Sequence, residues 1–369
     1  MASKSLRFLL PLLALGGIVI HIACSDDRVD FLSATPERGI TLPADHASHP
    51  DFQNEWWYYT GQLKAKDGRS FGFQLTWFRV GLSREQQEQS KFKASTLYFA
   101  HFTVTDKQKK TFRYKEMISR GGAYDNAGAD SRILRSWIGE WRTELLGNMF
   151  YISGRTDSMG LSLIGAPRKP VVLQGTEGYS RKGKDPGNAT MYYSIPRIGV
   201  TGVLDLDGEL LEVEGTAWMD HEFGTSQLDK GQVGWDWFSL QLDNGEEVML
   251  YGLRKSDGSY DPNAVGVYVQ KDGTKSSLAS NAYTIEVLDR WKSPASGATY
   301  PARWKLTIPS QNFTATVTPY VADQELRTEN STRVTYWEGA VRVEAERAGQ
   351  PVAGEGYVEL TGYAKPLSF

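Results

Sequence analysis

Apolar and polar residues alternate along the chain from about residue 55 onward. One such stretch has its large apolar residues on one side of a two-residue period, at Phe71, Phe73, Leu75 and Trp77. Between these stretches recur dipeptides typical of tight hairpin turns: Asp67-Gly68, Asp207-Gly208, Asn244-Gly245, Asp257-Gly258 and Asp272-Gly273. The pattern predicts an all-β protein of antiparallel barrels or sandwiches rather than βαβ units.

The predicted strands fall into two blocks, with a break near residues 224–231. We therefore divide the chain into an N-terminal targeting segment of residues 1–23, a linker of 24–44, a first strand domain of 45–226 and a second of 227–369. No short sequence repeat relates the two blocks, although two domains can be structural duplicates without visible sequence identity.

The first 24 residues predict export. Lys4 and Arg7 precede an apolar run of 13 residues (8–20), which is too short to span a bilayer comfortably. The following Ile-Ala-Cys resembles a lipobox and predicts acylation of Cys24, which would anchor the protein to a membrane. The alternative is an ordinary signal peptide with an incidental cysteine. We expect a periplasmic or outer-membrane-anchored lipoprotein of a Gram-negative bacterium.

Composition excludes several function classes. The chain has 369 residues, a formal net charge of −3 and no basic stripe, so we expect no nucleic-acid partner. Motifs for a phosphate-binding loop, a dinucleotide fold or a nucleophile elbow do not occur in the sequence. With only five histidines and a single cysteine, zinc chemistry has few ligands to draw on. We predict neither a metal nor a cofactor.

The segment 218–224, Trp-Met-Asp-His-Glu-Phe-Gly, sets two acids and a histidine among large apolar residues. A two-residue period places His221 on an inward apolar face, and Asp220 and Glu222 on the opposite face. A lone imidazole in such surroundings is a candidate general acid or base. The alternative is a core histidine whose ring is satisfied by a backbone carbonyl. The two acids could instead face a second cavity or a seam between domains.

Two further segments combine acids with tryptophans. Residues 234–237 read Gly-Trp-Asp-Trp, and residues 55–59 read Glu-Trp-Trp-Tyr-Tyr. Asp236 at the head of an apolar face would be costly unless paired. We favour a structural role, in which it caps backbone amides or binds Arg254 or another arginine, over a carboxylic acid with a raised pKa. The aromatic residues of 55–59 either pack as walls on both faces of a strand or line a pocket.

These segments together resemble the family of carotenoid 1,2-hydratases (hydroxyneurosporene synthases) and the related AttH-like exported proteins. The matching stretches are residues 49–61, 71–74, 191–194, 218–224, 234–237 and 357–363. The resemblance implies two consecutive lipocalin-like β-barrels, a fold that commonly encloses one hydrophobic ligand. In the hydratase branch, an acid protonates a carbon–carbon double bond of an acyclic carotenoid, tryptophan faces stabilise the cation, and water attacks it.

The resemblance implies catalytic roles for His221, Asp220 and Glu222. The predicted ligand-binding residues are Trp56, Trp57, Trp218, Trp235, Asp236, Trp237 and Tyr251. Hydratases tend to have Trp at the position of Phe223 and an acid just after the residue matching Tyr251, where this chain has Gly252 and Leu253. We favour binding over catalysis because no set of residues here establishes a reaction. The first hypothesis is an exported protein that binds a lipid, isoprenoid or polyene. The alternatives are a hydro-lyase of the carotenoid hydratase type and a structural envelope protein whose tryptophans only close the barrels.

Overall fold

The computed structural model describes residues 31–82, 95–122, 126–185, 187–225 and 228–367. The predicted signal segment 1–23 and Cys24 lie outside these ranges. Helical structure within them is limited to three 3₁₀ helices, Pro36–Arg38, Ala44–His46 and Pro309–Gln311. None of the helices in the described ranges has the length and apolar character needed to cross a membrane.

The first sheet is antiparallel and curled, with 13 strands. In chain order its strands are β1 (Asn54–Ala65), β2 (Ser70–Gly81), β3 (Thr96–Asp106), β4 (Thr111–Arg120), β5 (Ala127–Ala129), β6 (Arg135–Ile138), β7 (Trp141–Leu146), β8 (Met149–Arg155), β9 (Met159–Pro167), β10 (Val172–Leu173), β11 (Tyr179–Arg181), β12 (Ala189–Leu206) and β13 (Glu209–Gly224). The spatial order is β4-β3-β2-β1-β13-β12-β9-β8-β7-β6-β5, with β10 and β11 paired to β12. Thus β1 pairs with β13, the last strand of the sheet.

The second sheet has 10 strands and is also antiparallel. Its strands are β14 (Gln232–Leu242), β15 (Glu247–Lys255), β16 (Val265–Val269), β17 (Lys275–Ala279), β18 (Thr284–Lys292), β19 (Thr299–Ile308), β20 (Phe313–Pro319), β21 (Glu325–Arg327), β22 (Thr335–Arg347) and β23 (Gln350–Leu360). They run in the order β17-β16-β15-β14-β23-β22-β20-β19-β18, with β21 paired to β22. Here too the first strand pairs with the last.

The prediction of an all-β chain with two consecutive antiparallel barrel-like sheets is confirmed. All five predicted hairpin dipeptides connect consecutive strands, and their glycines have φ between 84° and 91°. Glycine adopts this left-handed region without the steric cost that a Cβ would add. The barrel interiors are filled by two separate apolar clusters, one inside each sheet.

The two sheets pack against each other through a third apolar cluster, which includes Trp218, Trp237 and Tyr251. Strand β1 therefore has both faces buried, which explains why aromatic residues occupy both sides of residues 55–59. Glycine permits the closest approach: a Cβ on Gly72 would lie 2.5 Å from the Cβ of Ala340. Wall packing accordingly occurs on both faces of β1.

Candidate functional site

A cavity of about 300 Å³ lies between the two sheets. Its lining comes from both sheets and is rich in aromatic rings and acids. The lining residues used below are Trp56, Tyr58, Phe78, Phe99, Lys182, Tyr192, Asp220, Glu222, Trp235, Trp237, Tyr251, Glu338 and Glu359. The cavity therefore does not occupy a barrel interior, where the resemblance to lipocalin-like proteins led us to expect the ligand.

Strand register explains the wall that the first sheet contributes. Tyr192, Glu222, Trp56, Phe78 and Phe99 are successive cross-strand neighbours on β12, β13, β1, β2 and β3. Residues directly opposite each other in antiparallel strands point to the same side of the sheet. This row consequently presents four aromatic rings and one carboxylate to the second sheet.

A matching row crosses the second sheet. Tyr251 on β15 opposes Trp237 on β14, Trp237 opposes Glu359 on β23, and Glu359 opposes Glu338 on β22. All four residues line the cavity. Two facing rows of side chains thus form much of the site, and backbone pairing between strands fixes the position of each row.

Asp220 projects from β13 toward the second sheet and is buried. Its carboxyl accepts hydrogen bonds from Trp218 Nε1 at 2.7 Å, Tyr192 Oη at 2.8 Å and Ser194 Oγ at 2.5 Å. Burial nevertheless raises the pKa of Asp220 to about 7, because three neutral donors do not replace full hydration of the charge. Asp220 is therefore the group on this wall that can exchange a proton near neutral pH.

Glu338 and Glu359 form a pair of neighbouring acids on the second sheet. Glu338 Oε1 accepts a hydrogen bond from Tyr58 Oη at 2.6 Å, while its buried Oε2 has no partner among the described residues. Burial, followed by repulsion from Glu359, raises the pKa of Glu338 well above its usual value. Glu359 accepts a hydrogen bond from Trp235 Nε1 at 2.9 Å, and burial raises its pKa to about 7. Burial and mutual repulsion thus favour a protonated carboxyl group within this pair at neutral pH.

Glu222 has a different environment from the other cavity acids because it is paired with a cation. Lys182 Nζ lies 2.7 Å from Glu222 Oε1, and Thr190 donates a hydrogen bond to the same carboxylate. The ammonium also lies 4.3 Å from the ring centroid of Tyr251 and 5.4 Å from that of Tyr192. The aromatic lining of this cavity thus already holds one cation by its ring faces.

The structure places His221 outside the cavity. Its ring is fully buried inside the first barrel, where Nε2 lies 2.9 Å from Glu55 Oε1 and Nδ1 lies 2.9 Å from Tyr193 Oη. Trp57 stacks on the same ring at 5.0 Å between centroids. Burial lowers the pKa of His221 despite the adjacent Glu55 carboxylate. The inward direction was predicted correctly, but the partners are side chains, and the interior beside the ring is packed.

The remaining predicted ligand-binding residues divide between the two environments. Trp56, Trp235, Trp237 and Tyr251 line the cavity. Trp57 belongs to the core of the first barrel, because the residue between Trp56 and Tyr58 must point to the other face. Trp218 packs in the cluster between the sheets, where its indole donates to Asp220.

Asp236 also lies away from the cavity lining, on the same face of β14 as the core of the second barrel. It accepts hydrogen bonds from Tyr260 Oη at 2.6 Å and Tyr363 Oη at 3.1 Å, and Arg254 Nε lies 3.5 Å away. Burial raises its pKa in spite of the Arg254 charge. The structure thus supports the favoured interpretation of Asp236 as a paired structural acid.

Three donor groups converge closely enough to consider a metal ion: His49, Glu55 and His221, whose candidate ligand atoms lie within 4.8 Å of one another. Glu55, however, already accepts hydrogen bonds from Ser48 and His49, and Arg79 Nε lies 2.9 Å from its Oε2. A divalent ion would have to replace these bonds beside a guanidinium. The cluster therefore fits a hydrogen-bonded ion network better than a metal site.

Glu338, Glu359, Tyr58 and Lys182 were missed as site residues by the sequence analysis. A signal for the first two existed, since Tyr336-Trp337-Glu338-Gly339 repeats the combination of acid and aromatic residues seen in the predicted site, and Glu359 lies within a matching family stretch. Nothing local in the sequence indicates that β22 and β23 would bring these two acids side by side.

Comparisons with known proteins agree with this architecture. A sequence model described as AttH-like matches residues 33–363. The crystal structure of a putative AttH from Nitrosomonas europaea is 32% identical and superimposes with a TM-score of 0.81, covering 90% of this chain and 100% of that one. A comparison with curated proteins finds no match.

Two more distant structures share the fold. Kievitone hydratase from Nectria haematococca is 15% identical with a TM-score of 0.69, covering 92% of this chain and 98% of that one. CghA with Sch210972 is 13% identical with a TM-score of 0.53, covering 85% of this chain and 89% of that one. At these identities the likeness concerns the fold alone.

Proposed function

The chain belongs to the AttH-like family, and on that basis we propose that it binds a hydrophobic small molecule, a lipid, isoprenoid or polyene, in the cavity between its sheets. The observation that carries this proposal is the cavity itself, about 300 Å³ of space faced by aromatic rings from both sheets. Ligand sites are typically concave, mostly apolar and supplied with a few polar groups that fix orientation.

The free energy of burying apolar surface favours an apolar ligand over water in this cavity. Burying apolar surface stabilises a complex by about 25 cal/mol for each Å² removed from water. The rings of Trp56, Phe78 and Trp235 are only partly buried, so they have surface left for a ligand to cover. All three rings belong to strand residues, and this fixed backbone reduces the entropy lost on binding.

The experiment is calorimetric titration of the purified protein with farnesol, an acyclic isoprenoid alcohol. We expect saturable binding that Trp56→Ala weakens by about tenfold or more, because the substitution removes ring contact with the ligand. Trp291→Ala is the matched control, since Trp291 is similarly exposed but packs against the second barrel. Absence of binding, or equal weakening by both variants, would contradict the proposal.

We also propose that the protein acts outside the cytoplasm, anchored through an acyl group on Cys24 as a partner of the bacterial membrane. The support is the sequence of residues 1–24 with its basic, apolar and lipobox-like parts. Mass spectrometry of the N-terminal peptide should find diacylglyceryl-modified Cys24. An unmodified N-terminus cleaved at another residue would overturn the anchor but leave the ligand site untouched.

The second candidate function is acid-catalysed hydration or dehydration of the bound molecule. It is favoured by one observation: Asp220 lines the cavity, and burial brings its pKa to about 7. This pKa suits a group that must both give and take a proton near neutral pH. We expect Asp220→Asn to abolish any turnover of acyclic terpenoid alkenes or alcohols while farnesol still binds. Turnover that persists in Asp220→Asn would remove Asp220 from the reaction.

A further inference from the structure

The Glu338–Glu359 pair is short of hydrogen-bond donors. Glu338 is a fully buried residue of the cavity lining, and within the described part of the chain its Oε2 has no hydrogen-bond partner. A buried acceptor left unsatisfied costs about 1–3 kcal/mol, so natural proteins rarely retain one without a reason. A ligand that donates a hydrogen bond at this point would remove that cost.

Acidic groups also outnumber basic groups in the cavity lining. Lys182 is engaged by Glu222, and Arg79 is engaged by Glu55 and by the carbonyl groups of residues 49 and 52. In the part of the chain that the structure describes, no salt bridge reaches Glu338, Glu359 or Asp220. The cavity therefore offers three carboxyl groups that have no cationic partner.

The surroundings of the pair are suited to a cation. Trp235 donates its indole N–H to Glu359, and Trp237 is the direct cross-strand neighbour of Glu359 on β14. Tyr58 reaches the pair from the first sheet. Aromatic faces attract cations by about 2 kcal/mol or more when water is excluded, and a similar arrangement already holds Lys182 in this cavity.

We propose that the natural ligand carries a protonated amine on an apolar body, and that its ammonium group binds between Glu338 and Glu359. This inference deepens the proposed ligand-binding function and rests on it. The ammonium donates one hydrogen bond to the unpartnered Oε2 of Glu338 and one to Glu359. Any proton held by the pair leaves to solvent as the cation enters. An anionic amphiphile such as a fatty acid is disfavoured here, because its carboxylate brings no hydrogen-bond donor to the pair and would be buried beside acids without a cation.

The test is calorimetric titration of the purified protein at pH 7.5 with three ten-carbon probes, decylamine, decanol and decanoate, each below its aggregation concentration. The apolar chain is constant, so differences report the head group. We expect decylamine to bind at least about tenfold more tightly than decanol, because hydrogen bonds to charged groups contribute more than neutral ones. Decanoate should bind more weakly than decanol.

A double variant, Glu338→Gln with Glu359→Gln, preserves side-chain shape and should make decylamine and decanol bind equally. Glu346→Gln, an exposed acid on the same strand β22, is the matched control and should keep the preference for the amine. If decanol binds the unmodified protein as tightly as decylamine, or if the double variant keeps the preference, the amine inference is wrong although the cavity still binds apolar molecules. If none of the probes binds, the proposed function fails together with it.

Discussion

The protein buries acids in two contrasting ways on either side of β1. Inside the first barrel, Glu55 is surrounded by donors: Ser48, the backbone and ring of His49, His221 and Arg79. In the cavity between the sheets, the described ranges provide Glu338 with one donor, Tyr58, and leave its Oε2 without a partner. Glu55 therefore has hydrogen-bond partners for both carboxylate oxygens, whereas, within the same described ranges, Glu338 has a partner for one oxygen and none for the other.

The pKa of each acid depends on the hydrogen-bond donors and charges around it. Burial alone would raise the pKa of Glu55, but hydrogen bonds from His221 and His49 and the charge of Arg79 lower it well below its usual value. Burial raises the pKa of Glu338, and its neighbour Glu359 raises it further. An acid with a full set of hydrogen-bond donors, such as Glu55, thus stabilises the fold, whereas Glu338, which has few donors, is the acid that we propose binds a ligand. Glu55 and Arg79 nevertheless also belong to the cavity lining.

The largest expected effect that tests this contrast is on stability. Glu55→Gln should lower the free energy of unfolding by about 3–5 kcal/mol, because it leaves the Arg79 guanidinium buried without its counter-ion. Glu338→Gln should change it by less than about 1 kcal/mol, since an amide replaces a carboxyl group that is already neutral. Urea unfolding of both variants at pH 7 measures the difference. Equal losses would show that the two acids do not differ in kind.

The stability contributed by the cavity acids and the stability contributed by Glu55 should also change in opposite directions with pH. Asp220 and Glu359 have pKa values raised to about 7, so the folded protein holds their protons between about pH 4 and pH 7 while the unfolded chain releases them. Their contribution to stability is therefore present at low pH and lost as the pH rises through this window. Glu55, with a lowered pKa, contributes stability above its unfolded pKa that is lost as the pH falls.

A matched pair of variants isolates these contributions. Asp220→Asn should gain stability relative to the unmodified protein as the pH rises from 5 to 7, by up to about 1.4 kcal/mol for each pH unit. Glu344→Gln, an exposed acid on β22, should show no such trend. The measurement is the difference in unfolding free energy at several pH values. A flat difference for Asp220→Asn would mean that its carboxyl group is ionised throughout.

Periodicity predicted much of the fold and part of the site, because both depend on which face a residue occupies. A two-residue period correctly placed His221 inside and left open that Asp220 and Glu222 face a seam, which is where the cavity lies. Periodicity did not predict which residues contact each other across strands. The contact between His221 and Glu55 joins residues 166 positions apart, and it depends on the register of β1 against β13. No hairpin turn joins β1 to β13, so turn geometry, which fixes register in a hairpin, gives no indication of it.

The location of the cavity could not be predicted for a related reason. Sequence patterns identify two barrels, but they do not state which outer faces meet. The acids Glu338 and Glu359 become site residues only because β22 pairs with β23 and because the outer face of that pair packs on β1 and β2. In the sequence alone, each of these acids is a polar position in a strand with alternating polar and apolar residues.

The smallest expected effect on stability concerns Tyr58, which donates a hydrogen bond to Glu338. Tyr58→Phe removes the hydroxyl group that donates to Glu338 and leaves the ring in place. Because Glu338 is then without any protein donor, its pKa should rise further, and stability should fall by about 1 kcal/mol. Tyr59→Phe is the natural control, since Tyr59 points into the first barrel, where its hydroxyl group accepts a hydrogen bond from Thr143. If amine binding is also real, Tyr58→Phe should weaken decylamine less than Glu338→Gln does, because the tyrosine orients the carboxyl group while the carboxyl group itself binds the cation.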